Sequence, residues 1–212
     1  MWRELIPGLY QGIPLTEEQK ETLETRIKLS NLPLITRETH RFCRWEPSSE
    51  NKEAFQVAQK FLKRGQHHFL TLFGEPGLGK THLALAVAWE WLENFQGTAL
   101  YYQVEGLLDA LRQSYSNKEN PEETELILNY AKRCSLLILD DFGAQKSTEW
   151  AEAKLDEIID HRYINQLPTI VTSNRSIESL PRRIADRLAE GILVLLEGQS
   201  YRIKKATERR GK

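Results

Sequence analysis

The 212-residue sequence has only two cysteines, Cys43 and Cys134, and no apolar stretch long enough to cross a bilayer. Two thiols without a second pair, and without the short spacings of metal ligands, indicate neither a disulfide framework nor a zinc site. The missing apolar run argues against a membrane helix. The opening Met1-Trp2-Arg3-Glu4 lacks the charged-then-apolar pattern of an export signal, so a cytoplasmic location is expected. An excess of either charge is lacking too. A net charge of −1 gives no global attraction to nucleic acid, and any such contact must come from local patches. There is no internal repeat and no low-complexity segment. What remains is 212 residues with 40% hydrophobic content, enough for one substantial core and a short extension.

The most informative segment is Gly74-Glu75-Pro76-Gly77-Leu78-Gly79-Lys80-Thr81, which follows the apolar run Phe69-Leu70-Thr71-Leu72-Phe73 and opens a helical pattern at His82-Leu83-Ala84. That is a phosphate-binding P-loop in its strand-to-helix setting. The glycines let the backbone wrap a phosphate chain, so that amide N–H groups and the positive end of the following helix face the anion. Lys80 supplies a cation for the outer phosphates of ATP, and Thr81 is placed to give its hydroxyl to Mg2+, which takes hard oxygen ligands. A matching apolar strand ending in acids is found at Leu136-Leu137-Ile138-Leu139-Asp140-Asp141. Asp140 is expected to hold the metal through water, and Asp141 to orient or deprotonate the attacking water. Many ATPases of this kind carry Glu at the second position. Asp141 is one methylene shorter, and slow hydrolysis is expected.

Strand-like and helix-like segments alternate along the chain, which argues for an α/β fold with a parallel sheet covered on both faces. Ser48 or Ser49 is expected to cap a helix through Ala54, Phe55, Ala58 and Phe61 that Gly65 ends. Leu83, Val87 and Trp91 mark the core face of the P-loop helix, and Thr98 to Tyr102 reads as the next strand. Two helices, Glu105 to Ser116 and Glu122 to Arg133, precede the acidic strand. A long helix spans about Thr148 to Asn165, and the last strands are Thr169 to Asn174 and Ile192 to Leu196. Thr16 and Gln19 can form a capping box for an N-terminal helix through Leu23 and Ile27. That helix suits a free-standing arm and a fold-back onto the core equally well. The stretch around Tyr201-Arg202-Ile203-Lys204-Lys205 and Arg209-Arg210-Gly211-Lys212 is basic, either a solubilising tail or a DNA contact.

Gly74 to Thr81, the run from Leu136 to Asp140-Asp141-Phe142-Gly143, Thr172-Ser173-Asn174, and Arg183-Ile184-Ala185-Asp186-Arg187-Leu188 together resemble the DnaC/DnaI/IstB group of AAA+ ATPases over about residues 45 to 205. The resemblance implies a three-layer P-loop NTPase core with a central five-stranded parallel sheet, a short helical N-terminal extension and no full C-terminal lid domain. The corresponding divisions are residues 1–45 as extension, 46–205 as ATPase core and 206–212 as basic tail. It also implies head-to-tail self-association with ATP at the subunit interface and hydrolysis stimulated by assembly. By position, Asn174 resembles the sensor residue near the terminal phosphate, Arg187 the arginine finger reaching into the neighbouring subunit's site, and Arg202 the second sensor arginine. On residues alone, the alternative for Arg187 is an ordinary surface ion pair with Asp186 or Glu190.

The helical insertion between Tyr102 and Leu136 corresponds to the element that touches single-stranded DNA in helicase loaders of this group, with Arg112, Tyr115 and Lys118 as the contacts here; backbone charge plus an aromatic face suits sequence-independent binding. The N-terminal extension corresponds to the part that grips the replicative, DnaB-like helicase. The resulting expectation is a helicase loader acting in replication initiation or restart. Alternatives are an IstB-like transposition helper working with a transposase on duplex DNA, a small-molecule P-loop kinase, and a nucleotide-binding adaptor that hydrolyses almost nothing.

Overall fold

The computed structural model describes residues 2–6, 9–12, 17–62, 68–94, 97–116, 122–145 and 148–210. Two short strands, β1 (Trp2–Ile6) and β2 (Leu9–Gly12), pair antiparallel at the N-terminus. Helices α1 (Glu17–Lys28), α2 (Thr36–Thr39) and α3 (Lys52–Phe61) follow, with one turn of 3-10 helix at Phe42–Arg44. Then come β3 (Phe69–Phe73), α4 (Lys80–Asn94), β4 (Ala99–Gln103), α5 (Val104–Ser116), α6 (Glu122–Arg133), β5 (Leu136–Asp140), α7 (Glu149–Ile164), β6 (Thr169–Ser173), α8 (Arg182–Ala189), β7 (Ile192–Leu195) and α9 (Tyr201–Arg210).

Strands β3 to β7 form one sheet in the order β4-β5-β6-β3-β7, with every neighbouring pair parallel. Because side chains alternate along a strand, each of these apolar runs feeds two cores. Leu70, Leu72, Leu136, Ile138 and Ile170 pack with α1, α3 and α4 on one face. Phe69, Leu137, Leu139 and Val171 pack with α5, α6, α7 and α8 on the other. Runs that are apolar on both faces are what a parallel sheet buried between helix layers requires. The three layers expected from the sequence are therefore present.

Leu83, Val87 and Trp91 are buried as their spacing predicts, and α4 is buried on nearly every side. The cause is the N-terminal segment. Leu23 and Ile27 of α1 join the α4 core, and burying each such side chain contributes about 1.5–3 kcal/mol. An isolated helix of this length is marginal in water, and α1 does not stand off as an arm. Arg37 and Arg41 bind Glu93 at 3.2 and 2.6 Å, and Trp89 Nε1 donates to Thr36 Oγ1 at 3.1 Å. The Ser30 carbonyl accepts from the amide of Tyr101 on the outer strand β4. The division at residue 45 thus marks a change of sequence pattern, while residues 17–45 are part of the same packed body. Thr16 and the capping box lie outside the described residues.

Helix α3 begins later than expected. Its N-cap is Asn51, without a side-chain cap bond, and Asn51 Oδ1 instead accepts from the amide of Ser48. It ends at Phe61, and Gly65 lies outside the described residues. Thr148 caps α7 as the sequence predicts, accepting from the Ala151 amide. Residues 201–210 of the basic stretch are helical. No helix among the described residues is long and apolar enough to cross a membrane.

Candidate nucleotide site

In a parallel sheet all carboxyl ends lie on one side, and ligands bind outside them. Here β3 delivers the P-loop, β5 delivers Asp140 and Asp141, and β6 leads to Asn174. β6 lies between β5 and β3, with Phe73 opposite Ser173 and Leu139 opposite Val171, so the three ends converge. A cleft of about 740 Å³ opens there, lined by residues of the P-loop, by Asp141 and Asn174, by residues 38–46 and by the start of α9.

Two P-loop glycines are required sterically. Gly74 has φ 137°, and a Cβ there would stand 2.2 Å from the Leu196 carbonyl oxygen. Gly79 has φ 97°, and its missing Cβ leaves room for the Trp45 ring, which would otherwise lie 2.5 Å away. Lys80 is 5% exposed, and its ammonium donates to the carbonyls of Gly74 and Glu75 at 2.7 and 2.8 Å. Burial lowers its pKa, while the charges of Asp141, Asp140 and Glu75 act the other way.

Asp140 is fully enclosed and receives hydroxyls from three elements. Thr81 reaches Oδ1 at 2.9 Å, Thr172 reaches Oδ1 at 2.5 Å, and Tyr101 reaches Oδ2 at 2.8 Å. Thr172 Oγ1 also accepts from the Asp141 amide, which fixes the turn. Asp141 itself sits at φ 56°, a left-handed conformation uncommon for a residue with a side chain. Burial and the neighbouring Asp140 push its carboxyl pKa up; Lys80, the 3.3 Å bond from Asn174 Nδ2 and the charge of Arg202 restrain the rise. Arg202 stands in the first turn of α9 and lines the cleft. That helix is tied to the P-loop by the Tyr201 amide on the Gly77 carbonyl, and to residues 38–46 by the Tyr201 hydroxyl on Glu46 at 2.8 Å.

The other candidate residues lie apart from the cleft. Arg187 projects from α8 onto α7, where it binds Asp156 at 2.6 Å and also Asp160, and its side chain is 15% exposed. Arg183 reaches the same two carboxylates at 3.3 and 3.9 Å. The ion pair allowed for Arg187 therefore forms with α7 rather than with Asp186 or Glu190. On α5, Arg112 pairs with Asp109 at 2.7 Å and lies over the Trp150 ring, while Tyr115 is exposed. Lys118 lies outside the described residues. Cys43 is exposed, and Cys134 is half-buried just before β5.

Sequence reading missed Tyr101, Thr172 and Trp45. A threonine two residues before Asn174 in an apolar strand carried a usable signal. Tyr101 carried none, because a tyrosine in such a run reads as core.

The family described as IstB-like ATP binding protein matches residues 15–209. The chain belongs to that family. The match of this IstB-like protein begins well before residue 45 and takes in the α1 segment that packs on α4. Among curated relatives, it is 27% identical over 175 residues to the phage-like element PBSX protein XkdC of Bacillus subtilis (74% of this chain, 63% of that protein). It is 29% identical over 135 residues to the replicative helicase loader DnaC of Escherichia coli K12 (61% and 54%). It is 28% identical over 202 residues to the insertion sequence IS5376 putative ATP-binding protein of Geobacillus stearothermophilus (90% and 77%). The chain thus spans less than two thirds of the length of the first two. Among solved structures, AMPPCP-bound DnaA from Aquifex aeolicus matches with a TM-score of 0.69 at 22% identity, over 82% of this chain and 55% of that one. The DnaC helicase loader matches with 0.63 at 21%, over 76% and 98%. At these identities the likeness establishes the fold alone, a five-stranded parallel sheet between helix layers.

Proposed function

We propose that this protein is an ATP-hydrolysing helicase loader, which holds a replicative DNA helicase and delivers it to single-stranded DNA. The observation that carries the reading is the convergence of Lys80, Thr81, Asp140, Asp141 and Asn174 at three strand ends, in a chain that belongs to an ATP-binding family and has relatives named as replicative helicase loaders.

Each residue has a task its geometry suits. Lys80 exchanges its two backbone carbonyls for phosphate oxygens as the P-loop amides close around the same chain. Thr81 and Asp140 offer hard oxygens 2.9 Å apart beside it, a donor set that fits Mg2+. Mg2+ bound there would neutralise charge on the phosphates. Asp141, with its raised proton affinity, orients the attacking water and accepts its proton, and Asn174 holds that carboxylate in place. Arg202 adds positive charge from α9. Arg187 acts on a neighbouring copy's site after leaving Asp156 and Asp160, and hydrolysis is slow until copies assemble head to tail. Tyr115, Arg112 and Lys118 contact the DNA strand.

A second reading is favoured by one observation. The insertion-sequence relative is matched over 90% of this chain, more than DnaC is. A transposition helper acting with a transposase on duplex DNA would use the same site. Family membership counts against the small-molecule kinase. Affinity capture with the intact chain in ATP, repeated with Lys80→Ala, separates the remaining readings. Nucleotide-dependent recovery of a replicative helicase supports the loader, and recovery of a transposase instead overturns it.

A further inference from the structure

We propose that Tyr101 is a positioning residue for the metal-binding carboxylate, one that fixes Oδ2 of Asp140 and thereby sets the affinity of the site for a divalent cation. The inference rests on the nucleotide-site reading above and adds a residue from outside its motifs.

Asp140 is buried at the end of β5 with four hydrogen bonds arriving on two oxygens. Oδ1 takes Thr81 at 2.9 Å and Thr172 at 2.5 Å, and Oδ2 takes Tyr101 at 2.8 Å and a second, longer approach of Thr81 at 3.2 Å. These donors are not equivalent. Thr81 belongs to the P-loop, and its oxygen is the one that a cation would claim. Once Thr81 is drawn away, Oδ1 keeps Thr172 from β6 and Oδ2 keeps only Tyr101 from β4. The two flanking strands thus hold the carboxylate from opposite sides. Loss of the Tyr101 hydroxyl would leave Oδ2 free to rotate just when the cation needs both Asp140 and Thr81 oriented.

The phenol is suited to this. Its ring is 8% exposed and packed among the α4-side core residues. Its backbone amide is bonded to the Ser30 carbonyl at 2.8 Å, so the strand carrying it is held from the outer side too. Groups that orient metal ligands from behind change metal affinity by roughly 10–100-fold when removed.

The test uses the full chain and the Tyr101→Phe variant, which loses one oxygen and keeps the ring. Mn2+ binding is followed by electron paramagnetic resonance in the presence of ADP, and ADP affinity is measured separately in EDTA. The expected result is Mn2+ affinity lowered about tenfold, with ADP affinity in EDTA unchanged within about twofold. Unchanged Mn2+ affinity overturns the assignment while leaving the ATPase reading intact. A collapse of Tm together with loss of ADP binding in EDTA also overturns it, because Tyr101 would then be a packing residue. A wild-type chain in which Mn2+ binding gains nothing from ADP overturns both.

Discussion

The two ends of the central sheet bury charge in opposite ways. At the amino end, Arg162 of α7 is fully buried, and among the described residues its guanidinium hydrogen-bonds to neutral acceptors. Nε donates to Thr169 Oγ1 at 2.7 Å, and the terminal nitrogens donate to the carbonyls of Ala131, Lys132, Cys134 and Pro168. That arrangement ties α6, α7, β5 and β6 together. At the carboxyl end, Lys80 is folded onto two carbonyls, and Asp141 is held at positive φ beside the carboxylate of Asp140. Buried charge whose every nitrogen is bonded holds a fold together. Charge held in an uncommon backbone geometry beside other charges is what a reacting site uses.

The sharpest way to break this contrast is to remove the P-loop cation. Lys80→Ala should abolish ATP binding, measured by calorimetry, with little change in Tm. An unaffected Kd would remove the carboxyl end from nucleotide chemistry. Arg187→Ala comes next: binding by isolated subunits should persist while assembly-stimulated hydrolysis falls by roughly 10³. Retained stimulation would leave Arg187 as the ion-pair residue that its contacts with Asp156 and Asp160 describe.

The amino end is tested by Arg162→Met, which leaves several buried carbonyls without a donor. The expected loss is about 3 kcal/mol or more of unfolding free energy in urea, with nucleotide affinity unchanged in the fraction that folds. A loss below about 1 kcal/mol would mean that water replaces the guanidinium.

The smallest effect on stability is expected at Asp141. Its folded pKa is raised, so the native state binds the proton more tightly than the unfolded chain does. Stability therefore falls as pH rises from the ordinary carboxylate range through the raised value, and the charged form costs stability at neutral pH. Asp141→Asn should raise Tm slightly at pH 7 while stopping hydrolysis, since the like charge beside Asp140 is gone and Asn tolerates positive φ better. A lowered Tm would show that Asp141 is stabilised where it stands. The pH profile of hydrolysis should fall on the acid side at a pH above that of an ordinary carboxylate.

The fold and half of the site were legible in the sequence for one reason. Apolar runs apolar on both faces, punctuated by glycines and acids, permit few structures other than a nucleotide-binding parallel sheet, and Gly74 to Thr81 and Asp140-Asp141 follow directly from that pattern. What the sequence left open depends on sheet order and on packing across long separations. Tyr101 is 39 residues from Asp140, and it becomes a partner because β4 and β5 are neighbours. Trp45 meets Gly79 only because the N-terminal segment folds over α4. The start of α3 was misplaced because Asn51, rather than either serine, begins the helix. The Arg187 pairing was missed because Asp156 and Asp160 lie on another helix, beyond the reach of rules for residues three or four apart.

The Ser30 carbonyl on the Tyr101 amide has a consequence for how copies can meet. Open strand borders invite lateral growth into ribbons and aggregates. Here the middle residue of the border strand β4 is already occupied by the polypeptide's own loop, with Asn31 reaching Tyr102 alongside. Extending the sheet on that flank would first require prising the loop away.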